Sequence, residues 1–232
     1  MAGETIKTKG VVLSIHPWSR TSHVVTWLTF DCGVVTTIVK GALRPKSAFL
    51  GQYDLFYTCE LIYYARSKSS VHAIREVSPL EMREFLRENW RANLLAGYAG
   101  DMIRDLVPSG DESKKWYAFF VSFLDSLRAV ESFPLAMVQL EKKILSLAGL
   151  EPDFSDMDMS APWSSFSIEC GKCCERGRVM RITPEMVMGM SSPTKASKDT
   201  LFSLIRFMGV FISFHLDRPP DIRRSVVQLI LS

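Results

Sequence analysis

Five short segments rich in Val, Ile, Thr and aromatic residues, at 10–15, 23–30, 34–39, 53–64 and 70–77, crowd the first third of the chain with turn signals between them. This rhythm demands extended structure. Val34 to Val39 is an unbroken β-branched run, which fits a pleated strand better than a helix. Asp31-Cys32-Gly33 links the second and third segments and puts Gly where a left-handed residue is needed, so a hairpin is predicted there. Along the fourth segment Leu55, Tyr57, Cys59, Leu61 and Tyr63 alternate with Asp54, Phe56, Thr58, Glu60 and Ile62, giving one wholly apolar face and one mixed face. Five strands this short fit a small closed barrel, of which the OB-fold is the common nucleic-acid-binding form.

The period changes around Ser78. Ser78-Pro79-Leu80-Glu81 has the form of a capping box with Pro at the first helical position. Met82, Phe85, Leu86, Trp90 and Leu94 then recur at helical spacing, with Arg83, Arg87 and Arg91 on another face. Ser109 to Glu112 repeats the capping pattern before an aromatic-rich helix, and Met137, Leu140, Ile144 and Leu147 form a stripe ended by Gly149. Leu201, Leu204, Ile205, Met208, Phe211, Ile212 and His215 mark one long buried face, and a last helix covers Asp221 to Leu231. The expected class is α+β: an OB-fold domain over 1–78, then a helical domain over 79–232 with an irregular cysteine-bearing insert at about 151–183, expected to be a degenerate zinc-finger-like segment.

Charge is distributed unevenly. Residues 1–80 hold nine Lys or Arg against five Asp or Glu, residues 81–160 nine against fourteen, and residues 161–232 ten against six. A basic front is the natural face for a polyanion. Its centre is the stretch from Gly33 to Gln52, where Lys40, Arg44 and Lys46 leave the end of a strand with Asp31 and Asp54 as the nearest acids in sequence. Lys supplies a point charge and Arg a planar fork, and the backbone amides near Gly41 would add donors, so phosphate is the ligand such a loop suits. The plain alternative is a solvated basic turn.

Cys170-Gly171-Lys172-Cys173-Cys174 contains a C-x-x-C, which is half of a structural zinc site. A second pair is missing from the sequence, since Cys32 and Cys59 fall in strand segments, and Asp156, Asp158 and His215 are the conceivable substitutes. Metal binding at Cys170, Cys173 and Cys174 is therefore not expected, and no cofactor is implied. His16, His23 and His72 lie in or beside strand-like segments and His215 on an apolar helical stripe, so each reads as a structural imidazole. No phosphate-binding loop of the Walker type, dinucleotide fingerprint or paired-carboxylate motif occurs, and a binding protein rather than an enzyme is expected. No apolar run approaches the length of a membrane span. The first residues lack a charged-then-apolar secretion signal, which makes the cytoplasm the expected compartment and structural disulfides unexpected.

Several stretches carry a resemblance. Ile6-Lys7-Thr8-Lys9-Gly10-Val11-Val12-Leu13, the hairpin ending at Gly33, Val39-Lys40-Gly41-Ala42 leading to Lys46-Ser47, and Gly51-Gln52 with Leu55-Phe56 resemble the bacterial DNA repair family RecO. So, more loosely, do Leu145 to Pro152, Phe166-Ser167 leading to Cys170-Gly171-Lys172-Cys173, His215-Leu216 and Arg223-Arg224-Ser225. The resemblance implies an N-terminal OB-fold and a helical C-terminal domain. It also implies binding of single- and double-stranded DNA, annealing of complementary strands, and help in loading RecA onto strands coated by single-strand-binding protein, through its C-terminal tail and together with RecR. Many family members have two C-x-x-C pairs where this chain has one, and commonly acidic residues where it has Ser19-Arg20-Thr21-Ser22-His23.

Lys40, Arg44 and Lys46 are accordingly expected to contact phosphates, with Lys7, Lys9, Arg20, Arg66 and Lys68 extending the track. Trp18 or Phe49 is a candidate for base stacking, against core burial as the alternative for each. Arg223 and Arg224 are candidates for a secondary DNA contact. The rival reading is a protein-docking adaptor, in which Met186, Met188 and Met190 offer an adaptable surface. A weaker one is a zinc or thiol enzyme at Cys170, Cys173 and Cys174.

Overall fold

The computed structural model describes residues 4–66, 69–108, 110, 112–216 and 221–231, the last two of these without their side chains. Strands β1 (Thr5–Ser19), β2 (Ser22–Thr29), β3 (Gly33–Val39), β4 (Thr58–Tyr64) and β5 (Val71–Glu81) close into a barrel in the order β1-β2-β3-β5-β4. Only the β3–β5 contact is parallel. β1 is long enough to serve two neighbours: its first half pairs with β4 and its second half with β2. Gly10 permits this double use, because a Cβ there would press on Leu61 at 3.2 Å. Inside lie Val12, Val25, Trp27, Val35, Val39, Tyr57, Cys59, Leu61, Tyr63 and Val77.

The predicted hairpin is present, with Thr29 opposite Gly33 and Gly33 at φ 70°. Its turn is fastened by Thr29, whose Oγ1 donates to the Gly33 carbonyl at 2.7 Å and accepts from the Cys32 amide. Residues 53–57 depart from expectation. They form turns, not strand: Phe56 takes φ 63° and is buried, while Leu55 faces outward. The helix expected from Ser78 is also corrected, since Ser78 to Glu81 continue β5 in register with Thr58, Cys59 and Glu60. Ladder hydrogen bonds to β4 outweigh a local capping pattern when the partner strand is already in place.

The helical run expected from Met82 is broken. A single turn, α1 (Phe85–Glu88), ends at Asn89, whose extended backbone and side chain cap α2 (Trp90–Leu106) by accepting from the Ala92 amide. Arg83 sits in the bend at φ 45°, buried, donating to the Phe56 carbonyl, Thr58 Oγ1 and Asp125. Helix α3 (Ser113–Ser126) follows. Ser109 of the second capping pattern lies outside the described residues. The chain divides into compact units at Met1–Ala129 and Val130–Ser232, so that α1, α2 and α3 fall in the same unit as the barrel.

The second unit contains α4 (Phe133–Leu147), α5 (Pro184–Ser191), α6 (Lys198–His215) and α7 (Ile222–Leu231). Ser132, Thr183 and Ser197 cap the first three through their side chains. Met137, Leu140 and Ile144 of α4 are fully buried, as are Leu204, Met208 and Ile212 of α6, which bears out those stripes. α5 turns Met186 and Met190 inward and leaves Met188 outside, so the three do not form one exposed surface. The insert expected to be irregular instead holds a three-stranded sheet, β6 (Ser164–Ser167), β7 (Lys172–Cys173) and β8 (Val179–Ile182), ordered β7-β6-β8. No described helix is long and apolar enough to cross a membrane.

Candidate nucleic-acid interface

The connection from β3 to β4 is built as a string of tight turns. Backbone amides of Arg44, Ser47, Leu50 and Gln52 donate to the carbonyls of Gly41, Arg44, Ser47 and Phe49 at 2.9–3.3 Å. Gly41 starts the string at φ 69°, and a Cβ there would meet the Arg44 side chain at 3.2 Å. Only glycine suits both demands. Buried Ala42 pins the loop to the barrel core. Two further bonds clamp it to the β1–β2 turn: Gly41 N donates to Ser22 Oγ at 3.2 Å and Leu43 N to the Thr21 carbonyl at 3.2 Å.

These bonds correct one expectation. The amides of Gly41, Leu43 and Arg44 are used inside the protein, so the loop offers its cationic side chains rather than a nest of amides. Lys40, Arg44 and Lys46 are all exposed, and none has an ion-pair partner among the described residues. The clamp also brings Arg20, exposed in the β1–β2 turn, to the same end of the barrel. No local sequence signal announces Thr21 and Ser22 as the clamp, because their partners lie some twenty residues away.

Trp18 belongs to this end as well. The β1–β2 register slips between Pro17 and Ser19, leaving Trp18 as the extra residue of a bulge and 66% exposed. Bulges commonly re-aim a side chain in this way. Phe49, by contrast, is half-buried against the barrel core. It lines a cleft of about 420 Å³ with Leu43, Leu50, Tyr53, Leu55 and Arg87. His23 Nδ1 and the Tyr53 hydroxyl share a 2.8 Å hydrogen bond in the cleft wall, and burial pushes the Tyr53 phenol up to about 12, so it stays neutral.

The other cations lie elsewhere. Lys7 and Lys9 project from the half of β1 that pairs with β4, and Lys7 is held by Glu60 at 3.0 Å, with Lys9 opposite the same residue in register. Arg66 lies in the β4–β5 connection, which enters β5 beside Thr36, midway along β3. Its amide donates to His72 Nδ1 at 3.1 Å. Burial, and then the Arg66 charge, hold the His72 imidazolium below its ordinary pKa. Lys68 lies outside the described residues.

In the second unit Arg223 has a structural role. Its Nε and Nη2 donate to the two oxygens of fully buried Glu141 at 2.7 and 3.1 Å, and Nη2 also donates to the Ile205 carbonyl. A phosphate contact by Arg223 would have to break this pair, whereas Arg224 is exposed. Cys170 is exposed, and Cys173 and Cys174 are half-buried. The Cys174 thiol is held below its usual pKa by the Arg176 amide, then by hydrogen bonds from Cys170 and Ser167, while burial and then Asp156 and Asp153 raise that of Cys173. Two of the three substitute ligands are engaged: Asp158 accepts from Ser160, and His215 Nε2 donates to the Ile168 carbonyl. No group of three metal-ligating side chains is assembled among the described residues.

A closed five-stranded barrel with the strand order of the OB-fold, whose loop cations have no ion-pair partner among the described residues, followed by a helical unit, defines an OB-bearing protein, a class that includes many nucleic-acid binders. The family comparisons agree in detail: residues 1–83 match the model for the N-terminal part of recombination protein O and residues 87–223 that for its C-terminal part. The chain belongs to the RecO family. It is 30% identical over 149 residues to DNA repair protein RecO of Anaeromyxobacter sp. (strain K), covering 64% of this chain and 59% of that protein. Against DNA repair protein RecO of Gloeobacter violaceus it is 25% identical over 240 residues, covering 94% and 91%. The match to the Anaeromyxobacter relative thus spans about three fifths of that protein's length.

Proposed function

We propose that this chain is a non-catalytic DNA-binding mediator of recombinational repair. It binds single- and double-stranded DNA, anneals complementary strands, and acts with RecR to load RecA onto strands coated by single-strand-binding protein, whose tail it engages. The observation that carries this reading is the mouth of the barrel, where Lys40, Arg44, Lys46 and Arg20 stand without ion-pair partners among the described residues beside exposed Trp18. Annealing breaks no covalent bond, so it needs charge neutralisation and base access rather than general acids or nucleophiles. Cations on the loop let two phosphate backbones approach, and an indole stacks on any unpaired base. The test is a fluorescence annealing assay on complementary oligonucleotides, bare and coated by single-strand-binding protein. Acceleration in both, lost when Lys40, Arg44 and Lys46 become Ala, supports the reading; no acceleration in either refutes it.

A second reading has its own observation. Leu43, Leu50 and Leu55 are exposed around the 420 Å³ cleft, an apolar rim that suits a protein-docking adaptor. An adaptor binds its partner with Lys40, Arg44 and Lys46 replaced by Ala and loses it when the three leucines become Ser. The DNA-binding reading expects the opposite pattern for DNA.

A further inference from the structure

Register settles which side of the small sheet in the second unit meets solvent. β6 and β8 pair Ser165 with Arg181, Phe166 with Met180 and Ser167 with Val179, and β6 and β7 pair Phe166 with Cys173 and Ser167 with Lys172. Because side chains alternate along a strand, Phe166, Cys173 and Met180 share one face, and Ser165, Lys172, Val179 and Arg181 share the other. Phe166 is fully buried, its ring 5.3 Å from Phe154 and 5.1 Å from Phe207, so its face is the inner one. The opposite face is basic at its exposed positions, although Ser167, which shares it, is buried.

Lys172, Val179 and Arg181 are exposed there, and Arg176 and Arg178 are exposed in the connection between β7 and β8. Trp163, two residues before Ser165, falls on the same side. Its ring lies 4.6 Å from the Arg181 guanidinium carbon and it remains 43% exposed. Residues 163–182 hold four cations against Glu169 and Glu175. Glu169 accepts from the backbone amide of Arg178 and not from its guanidinium, and Asp153 lies beside Lys172. The three arginines have no carboxylate partner within ion-pair distance among the described residues.

An exposed indole stacked with a guanidinium, with two more arginines toward the opposite end of the sheet beyond Val179, combines the two elements that hold unpaired strands: cations for phosphates and flat surfaces for bases. A duplex hides its base faces and would use only half of this equipment. We propose that the outer face of this sheet, centred on Trp163 and Arg181 and extended past Val179 by Arg178 and Arg176 of the β7–β8 connection, is a second binding site for single-stranded nucleic acid. The site stands independently of the barrel loop. Its use in annealing, as a seat for the second strand, rests on the function proposed above.

The test uses the full chain and a fluorescent thymine homopolymer, which cannot form a duplex with itself. In a background with Lys40, Arg44 and Lys46 changed to Ala, residual binding is expected to persist and to fall further when Arg176, Arg178 and Arg181 also become Ala. Relative to that background, the three arginine changes lower the slope of log affinity against log salt by about 2, from roughly 0.7 per single-strand phosphate contact. Trp163→Ala weakens binding about fivefold or more, whereas Trp163→Phe, which keeps a stacking ring, retains most of it. Unchanged affinity and slope in the arginine variant overturn the proposal and leave the barrel loop untouched. Unchanged behaviour of the barrel variant sinks the barrel reading instead. Loss of binding to phosphatidylserine vesicles without loss of homopolymer binding would also overturn it, as a membrane contact. Should the triple arginine variant fail to fold by circular dichroism, the contrast between Trp163→Ala and Trp163→Phe decides.

Discussion

Glu141→Gln isolates the most consequential buried charge of the second unit. The carboxylate is completely buried and receives two hydrogen bonds from Arg223, whose own side chain is 15% exposed. Gln keeps the shape but loses the charge and turns an NH2 group toward the guanidinium, removing the carboxylate that faces a largely buried cation. Removing one partner of such a pair costs about 3–5 kcal/mol. Against a typical total stability of about 5–15 kcal/mol this is a large share, and at about 4–8 °C per kcal/mol for a domain near this size the melting point falls by at least about 12 °C. Gly209 supplies a second handle on the same pair. A Cβ at Gly209 would lie 2.9 Å from Arg223 Cζ and nearer still to Nη1, so the glycine makes the slot in α6 that the guanidinium fills. Elsewhere in a helix interior Gly→Ala stabilises by about 1 kcal/mol; here Gly209→Ala is destabilising, and the sign reverts in an Arg223→Ala background. Urea unfolding followed by circular dichroism gives all four free energies. A Glu141→Gln cost under about 1 kcal/mol, or a stabilising Gly209→Ala in the otherwise unchanged protein, would refute the reasoning.

Other expectations follow from the same geometry. Arg83→Lys loses the fork that reaches Phe56, Thr58 and Asp125 together, and destabilises the first unit by about 1–3 kcal/mol in urea unfolding. His72 accepts the Arg66 amide through Nδ1 and so is bound in its neutral form, with its folded pKa below the unfolded value. The unfolded chain therefore takes up the proton first, and His72's contribution is intact above the unfolded pKa of about 6.5 and lost as pH falls through the folded value. Stability measured from pH 7.5 down to 5 should decline less steeply in His72→Asn; identical slopes would remove His72 as a cause. Brief alkylation near neutral pH followed by mass spectrometry should label Cys174 before Cys59, whose thiol burial pushes up to about 12.

The barrel was legible because its evidence is periodic: the β-branched run before Lys40 and the alternation from Thr58 to Tyr63 carry their own geometry. Failures came where distant partners decide. Ser78 to Glu81 has the letters of a helix start, yet β4 was already there to pair with it. Asn89 broke the helical run because its side chain prefers to cap. β6, β7 and β8 are two to four residues each, too short to carry a periodic signal, which also hid the alignment of Trp163 with Arg181. The cations at the barrel mouth were visible as residues, but not their grouping. Arg20 joins Lys40 and Arg44 only through the bonds made by Thr21 and Ser22, while Lys7 is drawn away to Glu60. Arg223, a candidate DNA contact from the sequence, is held by a carboxylate more than eighty residues earlier.

The central claim is that the barrel mouth neutralises DNA phosphates, and its most direct measurement is the salt dependence of single-stranded DNA affinity for the protein and for its Lys40, Arg44 and Lys46 triple Ala variant. Each lost phosphate contact removes roughly 0.7 from the slope of log affinity against log salt, so three lost contacts lower it by about 2. Annealing should slow in step. A variant that binds with an unchanged slope and anneals at the original rate would contradict the claim outright.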